Sequence, residues 1–213
     1  MEIRYLFKVV HSITLIVFLS SIRSLAQNAN AITSMHTYLQ QHADSTIIFK
    51  YTSNWITAPL EFKIISKKGD TITRYIYKST EKLPKMPKSI RDTLSKIHKP
   101  LDPRSEYVKL HSVGINKFFN ALYTDDKSIK AFWRELQNLS PWTLNDDSIE
   151  GEGCPGQVDQ IYDGGGISLF LITKQGVKQL YFYAPYFYDK ICPGKKGRQA
   201  ILSIEKVFNK YFN

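Results

Sequence analysis

The chain has 213 residues, 29 of them lysine or arginine against 19 acids, for a net charge of +10, and it contains only two cysteines. That length buries a core without disulfide or metal staples, and no fixed-period repeat or low-complexity linker divides it, which excludes a repeat array. No apolar stretch reaches the length that a helix needs to cross a bilayer, which argues against a permanent span.

Arg4 and Lys8 precede an apolar run from Ile13 to Ile22, and small residues stand at Ser24 and Ala26, the two positions that a signal peptidase reads. The run is about ten residues, half of what a helix needs to cross a hydrocarbon core. Residues 1–26 therefore read as a cleavable secretory leader. Residues 27–213 read as one globular domain exported to the periplasm or the extracellular space. An uncleaved anchor and an apolar core helix are the rival readings of the same segment. The leader takes Arg4, Lys8, Arg23 and Glu2 with it, so the mature part keeps a charge of about +8. Such a charge favours an anionic envelope component or a polysaccharide as partner, and it also keeps an exported protein in solution. In an oxidising compartment Cys154 and Cys192 are expected to pair. The bond closes a loop of roughly 39 residues and stabilises the fold by about 4 kcal/mol through loop-closure entropy. Two buried thiols or half of a metal site are the alternatives, but no Cys-x-x-Cys or His-x-x-x-His spacing supports a metal.

Along the domain, Ile32, Met35, Leu39 and Ala43 share one face of a helix predicted from Asn28 to Ala43. Thr46–Thr52 has the β-branched and aromatic content of a strand. Leu60–Ile64 and Thr71–Tyr77 read as a hairpin reversing at Gly69. Pro84 and Pro87 interrupt the pattern, and Ser89 caps a short helix bearing Ile90, Leu94 and Ile97. Ile115, Phe118, Phe119 and Leu122 fall on one helical face. Ile129, Phe132, Trp133, Leu136 and Leu139 fall on another, with Asp125 and Asp126 at its N-terminus. Ser140 to Gly156 reads as a long loop. Ile167–Thr173 and Val177–Tyr183 form a second hairpin, and Gly197 to Phe212 an amphipathic helix with Ile201, Ile204, Val207, Phe208 and Tyr211 inward. Helices and hairpins come in blocks, so the expected architecture is α+β: an antiparallel sheet built from two hairpins, helices packed on one face, and a C-terminal amphipathic helix.

Several segments are candidate sites. Lys195, Lys196 and Arg198 crowd the start of the last helix, whose free N–H groups attract anions, and they form the best anion-binding candidate. The competing reading is that Gly194 and Gly197 turn the chain while the cations are solvated. Asp146, Asp147, Glu150 and Glu152 crowd a glycine-containing loop, as carboxylates do around calcium or in a solvated loop paired with lysines. Gly151, Gly153 and Gly156 match a dinucleotide fingerprint in letters only, because no strand precedes them and Pro155 occupies the turn. The aromatic run Tyr181–Tyr188 could stack on sugars, although strand alternation sends part of it into the core. The basic stretch Lys78–Arg104 matches no nucleic-acid motif, and no nucleic acid is expected. His36, His42, His98 and His111 show no metal or catalytic spacing, and Ser168 lacks the glycines of a nucleophile elbow. No catalytic group, metal or cofactor is assigned. The functional expectation is an exported non-catalytic binding protein. The alternative is a small secreted hydrolase whose acid, from the Asp146–Asp163 region, meets a histidine only in the fold.

Overall fold

Period-two alternation in the two hairpins supplies most of the sheet. The computed structural model describes residues 32–52, 60–79, 88–97, 113–151, 153, 154, 156 and 161–212. In it β1 (Ser45–Thr52), β2 (Glu61–Lys68), β3 (Thr71–Lys78), β4 (Phe119–Leu122), β5 (Gly166–Thr173) and β6 (Gly176–Tyr183) form one antiparallel sheet. The strand order is β4-β3-β2-β1-β5-β6. The first hairpin turns at Gly69, which has a left-handed φ of +55° and donates its N–H to Asp44. The second turns at Lys174 and Gln175. β1 lies between the two hairpins, and its consecutive Ile47, Ile48 and Phe49 are all buried. An unbroken apolar run is what a strand covered on both faces requires.

The helices are α1 (Ser34–His42), α2 (Lys88–Ile97), α3 (Asp126–Asn138), the short α4 (Asp147–Glu150), α5 (Pro185–Ile191) and α6 (Lys196–Phe212). α3 starts where Asp125 accepts the Ser128 N–H, so the acids expected there act as cap and first turn. α3 and α6 lay Phe132, Leu136, Ile201, Ile204 and Phe208 against Ile47, Phe49, Leu169 and Phe182. Phe208 stacks on Phe49 with ring centroids 5.1 Å apart and meets Phe132 edge-on at 5.2 Å.

The α+β class, both hairpins and the C-terminal helix match the sequence expectation. One detail of the layering differs. Helices gathered on one face describes α3 and α6, whereas α1 lies on the opposite face, where the His36 ring meets Phe170 at 4.5 Å and Phe62 at 6.2 Å. The reason lies in the central strands. Ile48, Ile64 and Phe170 point away from the Phe49 side, and a second layer is needed to keep them from water.

Two further segments depart from expectation. Phe119–Leu122 is an edge strand on β3, preceded by a turn at Asn116, rather than a helix. Its apolar spacing fits both forms, but so short a segment gains little from helix formation, and Phe119 stacks on Tyr75 at 4.9 Å. The aromatic run is divided at Ala184, where φ is +39°, and Pro185 then opens α5. His98, His111, Pro84, Pro87, Glu152, Pro155 and most of the basic stretch lie outside the described residues.

Candidate functional site

The acids of the Ser140–Gly156 segment hold secondary structure together. Asp146 caps α4 by accepting the Ser148 N–H at 3.1 Å, and its other oxygen accepts the Tyr181 N–H at 2.9 Å. Asp147 accepts the Tyr183 N–H at 2.9 Å. Tyr181 and Tyr183 stand two apart on β6, so their N–H groups leave the same side of the strand, and adjacent carboxylates close this part of the sheet edge. The second oxygen of Asp147 pairs with Arg198 at 2.9 Å. The Arg198 side chain is 0 % exposed, and its guanidinium lies 5.5 Å from the Tyr188 ring centroid. Burial pushes the Asp147 carboxyl above its ordinary range, while the Tyr183 N–H and the Arg198 charge pull it down.

Glu150 continues the arrangement. Both its oxygens accept the Gly197 N–H, at 3.2 and 3.1 Å, placing a carboxylate at the N-terminal end of α6. Position 197 has to be glycine, because a Cβ there would meet the Asn145 carbonyl oxygen at 2.0 Å. The Lys195 ammonium bonds the carbonyls of Glu150 and Gly151, and Arg198 reaches the Gly151 carbonyl at 3.2 Å. Cys154 and Cys192 form the expected disulfide, with Cα atoms 5.6 Å apart, tying this loop to the end of α5. Of the sequence-predicted anion site, then, Arg198 is inside the molecule, Lys195 serves backbone carbonyls and Lys196 is exposed. The carboxylate at their helix terminus comes from the chain itself. Among the described residues no group of three or more His, Cys, Asp or Glu side chains is placed to hold a metal.

A second polar cluster, which the sequence did not reveal, lies further along α6. Lys63 on β2 donates to Asn209 Oδ1 at 2.9 Å, Asn209 Nδ2 donates to the Tyr51 hydroxyl at 3.1 Å, and Tyr51 donates to Glu205 Oε1 at 2.5 Å. The chain of donors runs from an ammonium to a carboxylate, and each bond polarises the next. Glu205 is 4 % exposed, and its Oε2, shielded from water, has no hydrogen bond of full geometry. Tyr186 on α5 approaches the same carboxylate more loosely. That hydrogen bond first, then burial, pushes its hydroxyl up to about 12. Burial and the Glu205 bond also raise Tyr51, against the Asn209 N–H. Both tyrosines keep much of their surface in water, 48 % for Tyr51 and 58 % for Tyr186. Aromatic residues ending β1 and opening α5 were the available signal, but Glu205 reads in sequence as one more helix charge.

The remaining candidates sit apart from both clusters. His36 is on the buried face of α1, where burial first and then the Lys50 charge lower its pKa to about 4. Ser168 is buried on β5 and lies opposite Lys50 in the ladder. His42 packs against Tyr38. No described helix is long and apolar enough to cross a membrane.

Fold and site define an α+β protein whose last helix carries two polar clusters, one latched by a disulfide-bonded loop and the other rimmed by exposed tyrosines. No protein-family model matches the chain, and comparison with curated proteins and with solved structures gives no match.

Proposed function

We propose that the chain is an exported, non-catalytic binding protein that acts in the periplasm or outside the cell on a polysaccharide or another anionic envelope component. The observation that carries this reading is the Cys154–Cys192 bond, since structural disulfides persist in oxidising compartments and are rare in reducing ones. The basic, small-residue-terminated leader supports export, and the net positive charge supports a polyanionic envelope partner. Further support comes from the acids with most chemical potential in the sequence. Asp146, Asp147 and Glu150 hold the β6 edge, Arg198 and the start of α6, as the parts of a scaffold do.

The test is expression with the native leader in an exporting host, intact mass, and retention on an immobilised acidic polysaccharide. The expected mass starts at Gln27 and is two hydrogens lighter than the dithiol, and the expected retention falls as salt rises. A full-length, reduced mass overturns export. Salt-independent passage through the column overturns the anionic partner. Turnover in a hydrolase screen that is lost on mutating one polar residue replaces the binding reading with the hydrolase.

A further inference from the structure

We propose that Glu205, Tyr51, Tyr186 and Asn209 form a binding subsite for a neutral sugar ring, a proposal that rests on the reading of the chain as a polysaccharide-binding protein. A carboxylate oxygen removed from water without a full hydrogen bond is costly, and a donor from a ligand would relieve that cost. Glu205 Oε2 is such an oxygen, on a carboxylate that two half-exposed tyrosines, Tyr51 and Tyr186, approach. Tyr186 meets it only loosely, which leaves room for a better-aligned donor from outside.

Charge selects the kind of donor. Lys63 stands at the far end of the hydrogen-bonded chain that ends on Glu205, so the cluster carries an ammonium at one end and a carboxylate at the other. A cationic ligand would meet Lys63 and a basic protein, and an anionic ligand would meet Glu205. A neutral hydroxyl meets neither penalty, and it replaces the loose approach of Tyr186 with a full charge-assisted bond. The exposed surface of Tyr51 and Tyr186 then offers apolar area to the C–H side of the same ring. A hydroxyl-rich, uncharged molecule with one apolar face is a saccharide. The basic surface attracts the polymer, and this cluster reads one of its neutral units.

The experiment is calorimetric titration of the oxidised full chain with neutral oligosaccharides (hexamers of glucose, mannose and N-acetylglucosamine), with spermidine as cationic and heparin as anionic probe. The variants are Glu205→Gln, Tyr186→Ala and, as a surface control, Tyr162→Ala, each checked for an unchanged melting profile. Tyr186→Ala removes an exposed ring, so it remains informative if Glu205→Gln folds poorly. At least one neutral hexamer is expected to bind, with affinity weakened about tenfold or more in Glu205→Gln and Tyr186→Ala. The same affinity is expected to hold in Tyr162→Ala and in about 0.5 M salt. Absence of binding by every neutral hexamer, equal binding in all variants, or spermidine binding that Glu205→Gln abolishes each overturns the subsite. Salt-dependent retention on acidic polysaccharide separates the two readings. If retention survives while the hexamers do not bind, only the subsite fails, and if both are absent the polysaccharide reading fails with it.

Discussion

Arg198 and Glu205 lie about two turns apart on α6, both buried and both charged, yet the rest of the chain treats them in opposite ways. Arg198 receives a carboxylate, a backbone carbonyl and an aromatic ring, all from segments that the disulfide holds in place. Glu205 receives one firm donor, Tyr51, and one loose one, Tyr186, both half in water. The difference separates a latch from a site. A buried charge paired with a carboxylate inside a disulfide-held loop specifies how elements join, whereas one reached only by half-exposed surface side chains keeps capacity for a ligand.

That contrast breaks most readily at the latch. Asp147→Ala leaves the Arg198 guanidinium buried without its carboxylate and is expected to cost about 3–5 kcal/mol in urea denaturation. The paired Asp147→Ala/Arg198→Met variant is expected to recover much of that loss, a coupling that a double-mutant cycle reads directly. A cost for Asp147→Ala no larger than that of an ordinary surface change would remove the latch from the comparison. Replacing both Cys154 and Cys192 with serine is the next largest effect, about 2–4 kcal/mol, and it should loosen the protection of the Tyr181 and Tyr183 amides in hydrogen exchange.

A third buried group, on the opposite face, sharpens the picture through pH. The His36 pKa is about 4 in the fold against 6.5 in a free histidine, so the unfolded chain takes up the proton first as pH falls. The stability is complete well above pH 6.5 and is lost from there towards pH 4. About 2 kcal/mol should disappear between pH 7 and pH 5, and His36→Phe should flatten that slope. The smallest effect belongs to the site. Glu205→Gln is expected to change stability by less than about 1 kcal/mol, because its partners are half exposed. In the same variant the Tyr186 hydroxyl should titrate from about 12 back towards 10, visible in phenolate absorbance. If Glu205→Gln proves as costly as Asp147→Ala, the two ends of α6 are alike and both are structural.

What the amino-acid order decided by itself was local. Alternation around Gly69 and around Lys174–Gly176 specified both hairpins, three-to-four spacing specified α3 and α6, and the presence of just two cysteines in the sequence pointed to the bond between Cys154 and Cys192. Period and composition carry such features because each depends on neighbours a few residues away or on a count. Phe119–Leu122 shows the limit: its spacing suited a helix, and only the open edge of β3 made it a strand. The second layer under α1 likewise depended on which faces of β1, β2 and β5 the register left bare. The two clusters on α6 lay furthest from view. Asp147 and Arg198 stand 51 residues apart and Tyr51 and Glu205 stand 154 apart, so their chemistry is set by which strand end and which loop the sheet order brings to that helix. A charge reads the same in sequence whether it meets water, a carboxylate or a phenol, and only tertiary packing chooses among them, by fixing what lies within 3 Å and how much water remains.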